Sequence, residues 1–189
     1  MKFADDAKIF QELRDAADCS TLQSDLDKLV TWAEKWQIDF NVEKCKVMHV
    51  GKQKDSCSYY MGGMKLVEEE AEKDLGVWSS SDMKCSQQCM YAFNKASRVM
   101  GMIKRTIRFK EVKIKLSLYK TLVRPHVEYC ASAWSPYYKK DKELLENVQR
   151  RFTKMIVNMD GLNYEDRLQS LNLWSLEERR NRQDLIEVL

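Results

Sequence analysis

The chain reads Phe3-Ala4-Asp5-Asp6 close to its start, an aromatic and a small residue followed by two adjacent aspartates. Hard divalent cations such as Mg²⁺ take oxygen ligands, which carboxylates projecting from a tight turn between two strands supply. Two such ions clamp the attacking and leaving oxygens of an in-line displacement. The alternative is a solvated acidic turn, because an acidic pair after an aromatic also occurs by chance. Features of the remaining sequence distinguish these two interpretations.

The first part of the chain alternates between strand and helix patterns. Residues 7–10 are expected to form a strand, and a helix is expected from Ser20, whose spacing to Gln23 is that of a capping box. Its apolar positions recur at helical spacing and should face a sheet. These positions are Leu22, Leu26, Leu29, Val30, Ala33 and Trp36. Further short strands are expected over 45–50, 59–63 and 75–78.

From Ser79 the apolar period changes from two to about 3.6, which is typical of helices. We expect helices over 83–105, capped by Ser80, Ser81 or Asp82, and over 110–124, ending or kinking at Pro125. Three more are expected over 139–157, 164–170 and 175–188. The sequence therefore predicts an α+β fold. Its predicted domains are 1–80, 81–158 and 159–189.

Charge is strongly segregated along the chain. Residues 1–83 carry 11 Lys or Arg and 17 Asp or Glu, a net charge of −6. Residues 84–157 carry 17 and 5, a net charge of +12, and residues 158–189 carry 4 and 7, a net charge of −3. A basic segment of this size indicates a surface that holds a phosphate backbone. A solvated charged surface is the alternative for any single cluster.

Composition narrows the class of protein. The chain has 189 residues, 44% of them hydrophobic and 32% charged, as in a globular protein. No apolar run reaches the roughly 20 residues of a membrane span, and the first residues contain no signal-peptide core. We therefore expect an intracellular protein of the nucleus or cytoplasm, with no membrane partner. Its six cysteines are expected to be reduced thiols, Cys85 and Cys89 among them buried.

Short motifs in a fixed order resemble the C-terminal part of the reverse transcriptase of jockey-like, non-long-terminal-repeat (LINE-type) retrotransposons. They are Phe3-Ala4-Asp5-Asp6 with Lys8; Leu22-Gln23-Ser24-Asp25-Leu26 leading to Trp32 and Trp36; Phe40-Asn41-Val42-Glu43-Lys44-Cys45; Lys73-Asp74-Leu75-Gly76-Val77; Leu122-Val123-Arg124-Pro125-His126-Val127-Glu128-Tyr129-Cys130; Trp134-Ser135-Pro136; Gln149-Arg150-Arg151; and Arg167-Leu168 followed by Leu173, Leu176, Glu177, Arg179 and Arg180. One departure is Ala7, where the family usually carries Thr.

The resemblance implies a fold and a set of site residues. Residues 1–80 would be a partial palm, in which Asp5 and Asp6 bind Mg²⁺ as catalytic residues and Lys44 lies near the leaving pyrophosphate. Leu75, Gly76 and Val77 would form a primer-grip hairpin. Residues 81–158 would be a basic helical thumb, and residues 159–189 a C-terminal helical extension. Because the family's third aspartate precedes this tetrapeptide, the metal site is expected to be incomplete, and the first hairpin strand essentially absent.

The basic helices are expected to contact the phosphates of a template–primer duplex of RNA or DNA without sequence preference. The candidate residues are Lys95, Arg98, Lys104, Arg105, Arg108, Lys113, Lys115, Arg150 and Arg151. Tyr137 and Tyr138 are candidates for stacking on sugars or bases, whereas Tyr119 and Trp134 are expected in the core.

Three hypotheses for function follow. The first is a C-terminal fragment of an RNA-directed DNA polymerase that binds template–primer, is inactive alone and has the missing N-terminal half of the polymerase as a partner. The second is a non-catalytic nucleic-acid-binding module retained from a retroelement. The third is a gene-prediction fragment with no independent function.

Overall fold

The computed structural model describes residues 2–3, 6–51, 57–107, 111–159 and 161–188. The chain divides into two compact units, Met1–Glu72 and Lys73–Leu189. This division lies before the boundary predicted at residue 80, and residues 159–189 belong to the second unit. Helices and short strands both occur, so the predicted α+β class is confirmed. The assignment of palm and thumb stays a prediction.

Helix α1, Ala16–Trp36, is the main helix of the first unit. It begins four residues before Ser20, because the Asp15 carboxylate accepts hydrogen bonds from the amides of Ala17 and Asp18 at 2.9 and 3.0 Å. The predicted capping box at Ser20 and Gln23 is therefore wrong. An aspartate at the N-cap satisfies the same free amides that a serine would.

The strands of the first unit form separate pairs. Strand β1, Lys2–Phe3, pairs antiparallel with β2, Asp6–Ala7, so the hairpin strand that we expected to be absent is present in short form. Strand β3, Lys46–Val47, pairs in parallel with β6, Val67–Glu68. Between them, β4, Tyr60–Met61, and β5, Met64–Lys65, form a hairpin. Its turn uses Gly62 and Gly63, both at positive φ, as a two-residue hairpin turn requires.

A small core joins α1 to these strands. Tyr59, Met61 and Leu66 are buried, and the predicted apolar face of α1 packs on them through Leu22, Leu26, Leu29 and Val30. The Gln23 side chain fixes the contact, since its amide donates to the Tyr60 carbonyl and accepts from the Tyr60 amide, both at 2.9 Å. Trp36 departs from the prediction, because 61% of it is exposed.

A disulfide joins Cys19 of α1 to Cys57, and Cys45, Cys85, Cys89 and Cys130 are free. The expectation of six reduced thiols is thus wrong for this pair. The two residues are 38 positions apart in sequence, and packing of α1 beside β4 brings their Cα atoms to 6.2 Å. Sequence spacing alone does not reveal such a pair.

Strands β7, Ala71–Asp74, and β8, Val77–Ser80, form a hairpin. Helix α2, Ser86–Thr106, follows it. The predicted caps Ser80 and Asp82 bind the backbone of Lys84, which precedes the helix. The Asp82 carboxylate accepts from the Lys84 amide at 3.0 Å, and the Ser80 hydroxyl donates to the Lys84 carbonyl at 2.9 Å. As a result α2 begins three residues later than residue 83.

The remaining helices follow the predicted order. Helix α3, Val112–Leu118, continues as a π-helical turn, Tyr119–Val123, and α4, Pro125–Glu128, begins at the proline. The predicted break at Pro125 is confirmed, because a proline lacks the amide of a helix interior but fits the first helical position. Then come α5, Ala131–Trp134; α6, Lys139–Lys154; α7, Tyr164–Ser170; and α8, Leu176–Val188.

The core of the second unit lies where α2 and α6 pack together. Tyr119 and Trp134 are buried in it, as predicted, and the Tyr119 ring stacks on Phe152 with ring centroids 4.1 Å apart. Leu173 and Leu176 belong to the same cluster, which explains why the C-terminal helices are part of this unit. Among the described helices, none is both long and apolar enough to cross a membrane.

Candidate nucleic-acid interface

Helix α2 carries basic residues on two flanks. Its buried positions include Cys89, Ala92, Ala96 and Met100. With about 3.6 residues per turn, Lys95, Arg98 and Arg105 fall on one side of this buried stripe together with Tyr91, whereas Lys104 falls on the other side with Phe93. All four basic residues are exposed. The predicted basic surface is therefore divided by the core-facing side of α2.

Most carboxylates of the basic segment are engaged by other groups of the unit. Asp141 accepts a hydrogen bond from the Ser86 hydroxyl at 2.6 Å. Glu146 is buried and accepts from the Tyr164 hydroxyl and from the Leu176 amide. Glu128 bridges Arg124 and Arg179. These acids stabilise the packing of α2, α4, α6 and α8, so they do not neutralise the exposed cations.

Several exposed cations consequently have no ionic partner among the described residues. Within the described ranges, no carboxylate lies at ion-pair distance from Lys95, Arg98, Lys104, Arg105, Lys113, Arg150, Arg151 or Lys154. Unpaired surface cations attract anions over a distance set by the ionic strength. The geometry thus gives the unit a positive surface that composition alone suggests but does not locate.

Tyr91 is the centre of a basic cluster on one flank of α2. The Lys73 ammonium donates to the Tyr91 hydroxyl oxygen at 2.9 Å and lies 4.6 Å from the ring centroid. The Lys95 ammonium is 5.9 Å from the same centroid, and the Trp78 ring meets it edge-on at 6.5 Å. The hydrogen bond from Lys73, and after it the nearby positive charges, lower the pKa of Tyr91. Sequence reasoning missed Tyr91 and Lys73, although Tyr91 and Lys95 are one helical turn apart.

On α6, Arg150 and Arg151 lie over aromatic rings. The Arg151 guanidinium is 5.2 Å from the Phe93 ring centroid, and that of Arg150 is 5.1 Å from the Tyr164 centroid. Cation–π contact orients a guanidinium while leaving its hydrogen-bond donors to other partners. Both predicted residues are exposed.

Two predicted contact residues have other outcomes. The Lys115 ammonium donates to the Met155 carbonyl at 3.2 Å, just past the last residue of α6, where carbonyls lack helical partners. Lys115 therefore caps the end of α6, and its contact with nucleic acid stays a prediction. Arg108 lies outside the described residues.

The stacking candidates differ in exposure. Tyr137 is 88% and Tyr138 47% exposed, and the Lys140 ammonium lies 5.8 Å from the Tyr138 ring centroid. Both rings are accessible at the start of α6. Their role in stacking stays a prediction.

The predicted primer-grip residues form the turn between β7 and β8. Leu75 and Gly76 have positive φ values of 45° and 88°, and Val77 is the first residue of β8. The Tyr129 hydroxyl donates to the Leu75 carbonyl at 2.9 Å. The strand expected over 75–78 is therefore wrong for Leu75 and Gly76, which form the turn, and contact of these residues with a primer stays a prediction.

The predicted catalytic residues are only partly described. Asp5 lies outside the described residues, and Asp6 is known only as a strand residue of β2. Lys44 is exposed at the end of a 3₁₀ turn, Val42–Lys44. Among the residues that the structure describes, no three His, Cys, Asp or Glu are grouped to hold a metal ion. We assign no chemical step to Mg²⁺.

Cys85, the N-cap of α2, and Cys89 are four positions apart, and no described third ligand joins them. Cys89 is fully buried and Cys85 partly buried. Burial raises the pKa of Cys89 to about 12. Both behave as core thiols, as predicted, because a buried thiolate lacks solvation.

Comparison of the chain with protein-family models, with curated proteins and with solved structures found no match.

Proposed function

We propose that the second unit binds duplex nucleic acid, an RNA–DNA hybrid included, as the part of a jockey-like RNA-directed DNA polymerase that holds template–primer. The observation that carries the binding is the set of exposed cations on α2, α3 and α6 that have no described ionic partner. Duplex nucleic acid carries about one negative charge per 1.7 Å of its axis. Such a polyanion matches a surface with many separated cations better than a single small anion does.

The placement of the carboxylates favours this function over a merely solvated surface. An ordinary solvated surface mixes both signs of charge, which pair with one another. Here Glu128, Asp141 and Glu146 pair with partners within the unit. The positive sign therefore dominates the exposed sides of α2, α3 and α6, and contact with phosphates carries no base information.

Two features support the polymerase ancestry. One is the order of the sequence motifs, from Phe3-Ala4-Asp5-Asp6 to Arg179 and Arg180. The other is the tight Leu75-Gly76-Val77 turn beside α2, which suits backbone contact with a strand end. We confine the proposal to binding, because Asp5 lies outside the described residues.

The test is binding of the full chain to a labelled RNA–DNA hybrid of about 20 base pairs over a range of salt concentrations. Six phosphate contacts give a slope of about −5 in a plot of log affinity against log salt. Charge reversal of Lys104, Arg105 and Lys113 to Glu should lower affinity at least about tenfold for every sequence and flatten that slope.

The matched control reverses three exposed lysines of the first unit, Lys28, Lys35 and Lys65. It changes the net charge by the same amount and should weaken binding much less. Equal losses from the two triple variants, or binding that does not depend on salt, would show that the basic surface does not hold the duplex.

A further inference from the structure

The Tyr91 cluster comprises Lys73 of β7 and three residues of α2, Tyr91, Lys95 and Arg98. We infer that it holds a backbone phosphate of a nucleic-acid strand, with the Tyr91 hydroxyl as a hydrogen-bond donor and the three cations as its charge partners. The inference deepens the proposed function and rests on it. It assigns a phosphate contact to four residues, of which the sequence alone had marked only Lys95 and Arg98 as candidates for nucleic-acid binding.

The direction of the Lys73 hydrogen bond makes Tyr91 a donor to other groups. An ammonium has donors only, so in the 2.9 Å contact the phenol oxygen must accept. The phenol keeps its own proton, which is directed away from Lys73. A phosphate oxygen that approaches from that side accepts a charge-assisted hydrogen bond from the Tyr91 hydroxyl.

The surrounding charges strengthen such a bond. Lys73 and Lys95 lie 4.6 and 5.9 Å from the ring centroid, and Arg98 adds a positive charge to the same environment. The Lys73 hydrogen bond is the largest cause of a lowered pKa at Tyr91, and a more acidic phenol is a better donor to an anion. Lys95 and Arg98 have no ionic partner among the described carboxylates.

The line of groups on this flank of α2 fits a polymer better than a single ion. Tyr91, Lys95, Arg98 and Arg105 share the flank, and at about 1.5 Å per residue they extend over roughly 21 Å of helix axis. A free phosphate or nucleotide would use only one end of that line. Successive phosphates of one strand would meet all of it.

The first test is Tyr91→Phe in the full chain, which keeps the ring and both cation–π contacts and removes only the hydroxyl. We expect affinity for the RNA–DNA hybrid to fall about three- to tenfold, with the salt slope unchanged because no charge is lost. Arg98→Gln should lower affinity and also reduce the magnitude of the slope by about 0.9. An unchanged thermal unfolding temperature of each variant shows that folding is preserved.

The matched controls are Tyr60→Phe and Lys65→Gln, two exposed residues that lie opposite one another in the β4–β5 hairpin of the first unit. They should change affinity less than twofold. If the wild-type chain binds the hybrid but Tyr91→Phe and Arg98→Gln bind no worse than these controls, the inference is wrong and the proposed function stands. If the wild-type chain does not bind the hybrid, both fail.

A competition arm separates a backbone phosphate from a free one. Inorganic phosphate and chloride, compared at equal ionic strength, should reduce hybrid binding equally. Selective competition by inorganic phosphate that Tyr91→Phe abolishes would assign the cluster to a small phosphate ligand and overturn the inference.

Discussion

The Tyr129 ring lies against Gly76: a Cβ atom at Gly76 would be 3.2 Å from Tyr129 Cε1. The Tyr129 hydroxyl also binds the carbonyl of the preceding residue, Leu75. This contact couples the β7–β8 turn to the segment after α4. The turn therefore depends on a glycine for two reasons, its φ of +88° and the space occupied by the ring.

Gly76→Ala is expected to lower the free energy of unfolding by about 2 kcal/mol, because an alanine is strained at positive φ and its methyl group displaces Tyr129. Urea denaturation measures this. Gly161→Ala is the control, since a Cβ there meets no neighbouring atom and its φ is not positive. Equal stability of Gly76→Ala and the wild type would contradict the described turn.

Gln149 is fully buried and connects three elements. Its side-chain oxygen accepts from the Tyr119 hydroxyl at 2.8 Å, and its amide donates to the Trp174 carbonyl at 2.9 Å. Gln149→Ala leaves those groups buried without partners and should cost about 3 kcal/mol in thermal or urea unfolding. Gln169→Ala, at an exposed site of α7, should cost less than about 0.5 kcal/mol.

Lys115 and Lys113 are two residues apart and should separate stability from binding. Lys115→Gln loses the hydrogen bond to the Met155 carbonyl and should lower stability by about 1 kcal/mol. Lys113→Gln, at an exposed position, should weaken binding to the hybrid and leave the unfolding midpoint unchanged. The opposite pattern would show that Lys115 contributes to binding and not to stability.

Cys89 should resist alkylation in the folded protein. Its pKa of about 12 leaves roughly one part in 10⁴ as thiolate at pH 8. Iodoacetamide at pH 8, followed by peptide mass spectrometry, should label the exposed Cys130 and not Cys89. In urea both should be labelled. Rapid labelling of Cys89 without denaturant would mean that α2 and α6 do not pack as described.

The pH dependence of stability has a definite sign at Cys89. Because the folded pKa lies above that of the unfolded thiol, the stability contributed by this group is complete below about pH 9 and is lost as pH rises toward 12. The slope due to this group is about 1.4 kcal/mol per pH unit. The wild type should lose that much more per unit than Cys89→Ala when unfolding is measured between pH 9 and 10.5.

The Cys19–Cys57 disulfide should stabilise the first unit. It closes a loop of 38 residues, for which removal typically costs about 2–4 kcal/mol. Cys19→Ala and Cys57→Ala should each lower the unfolding midpoint by the same amount. Added reductant should lower the wild-type midpoint to that level and leave the variants unchanged. A midpoint that reductant does not alter would mean that these thiols are not joined in solution.

Local sequence patterns predicted the helices of the second unit well, because their apolar period extends over long segments and a proline interrupts it clearly. The predicted bounds of α7 agree with the structure, those of α8 differ by one residue, and Pro125 marks the break where it was expected. Helix starts were less certain, since several capping residues compete. Asp15 caps α1 instead of Ser20, and Asp82 accepts from the Lys84 amide before α2 begins.

For the candidate site, the sequence predicted which charged residues occur but not the contacts that they make. The number of cations on α2 and α6 can be counted from the sequence, but their partners depend on packing between distant residues. Lys115 donates to the Met155 carbonyl, whereas Tyr91 accepts a hydrogen bond from Lys73, 18 residues earlier in the chain. The same limit applies to Cys19 and Cys57, whose proximity depends on how α1 lies beside β4.

The engagement of Glu128, Asp141 and Glu146 within the helical unit has a thermodynamic consequence. In the native state these carboxylates bind groups within the unit and do not pair with the exposed cations. Unfolding would return them to solvent, where they can pair with those cations. The unfolded segment would therefore attract a polyanion less strongly than the native one does. By mass action, a nucleic acid that prefers the native state raises its stability, so the unfolding temperature should keep rising with the logarithm of the hybrid concentration after the site is filled.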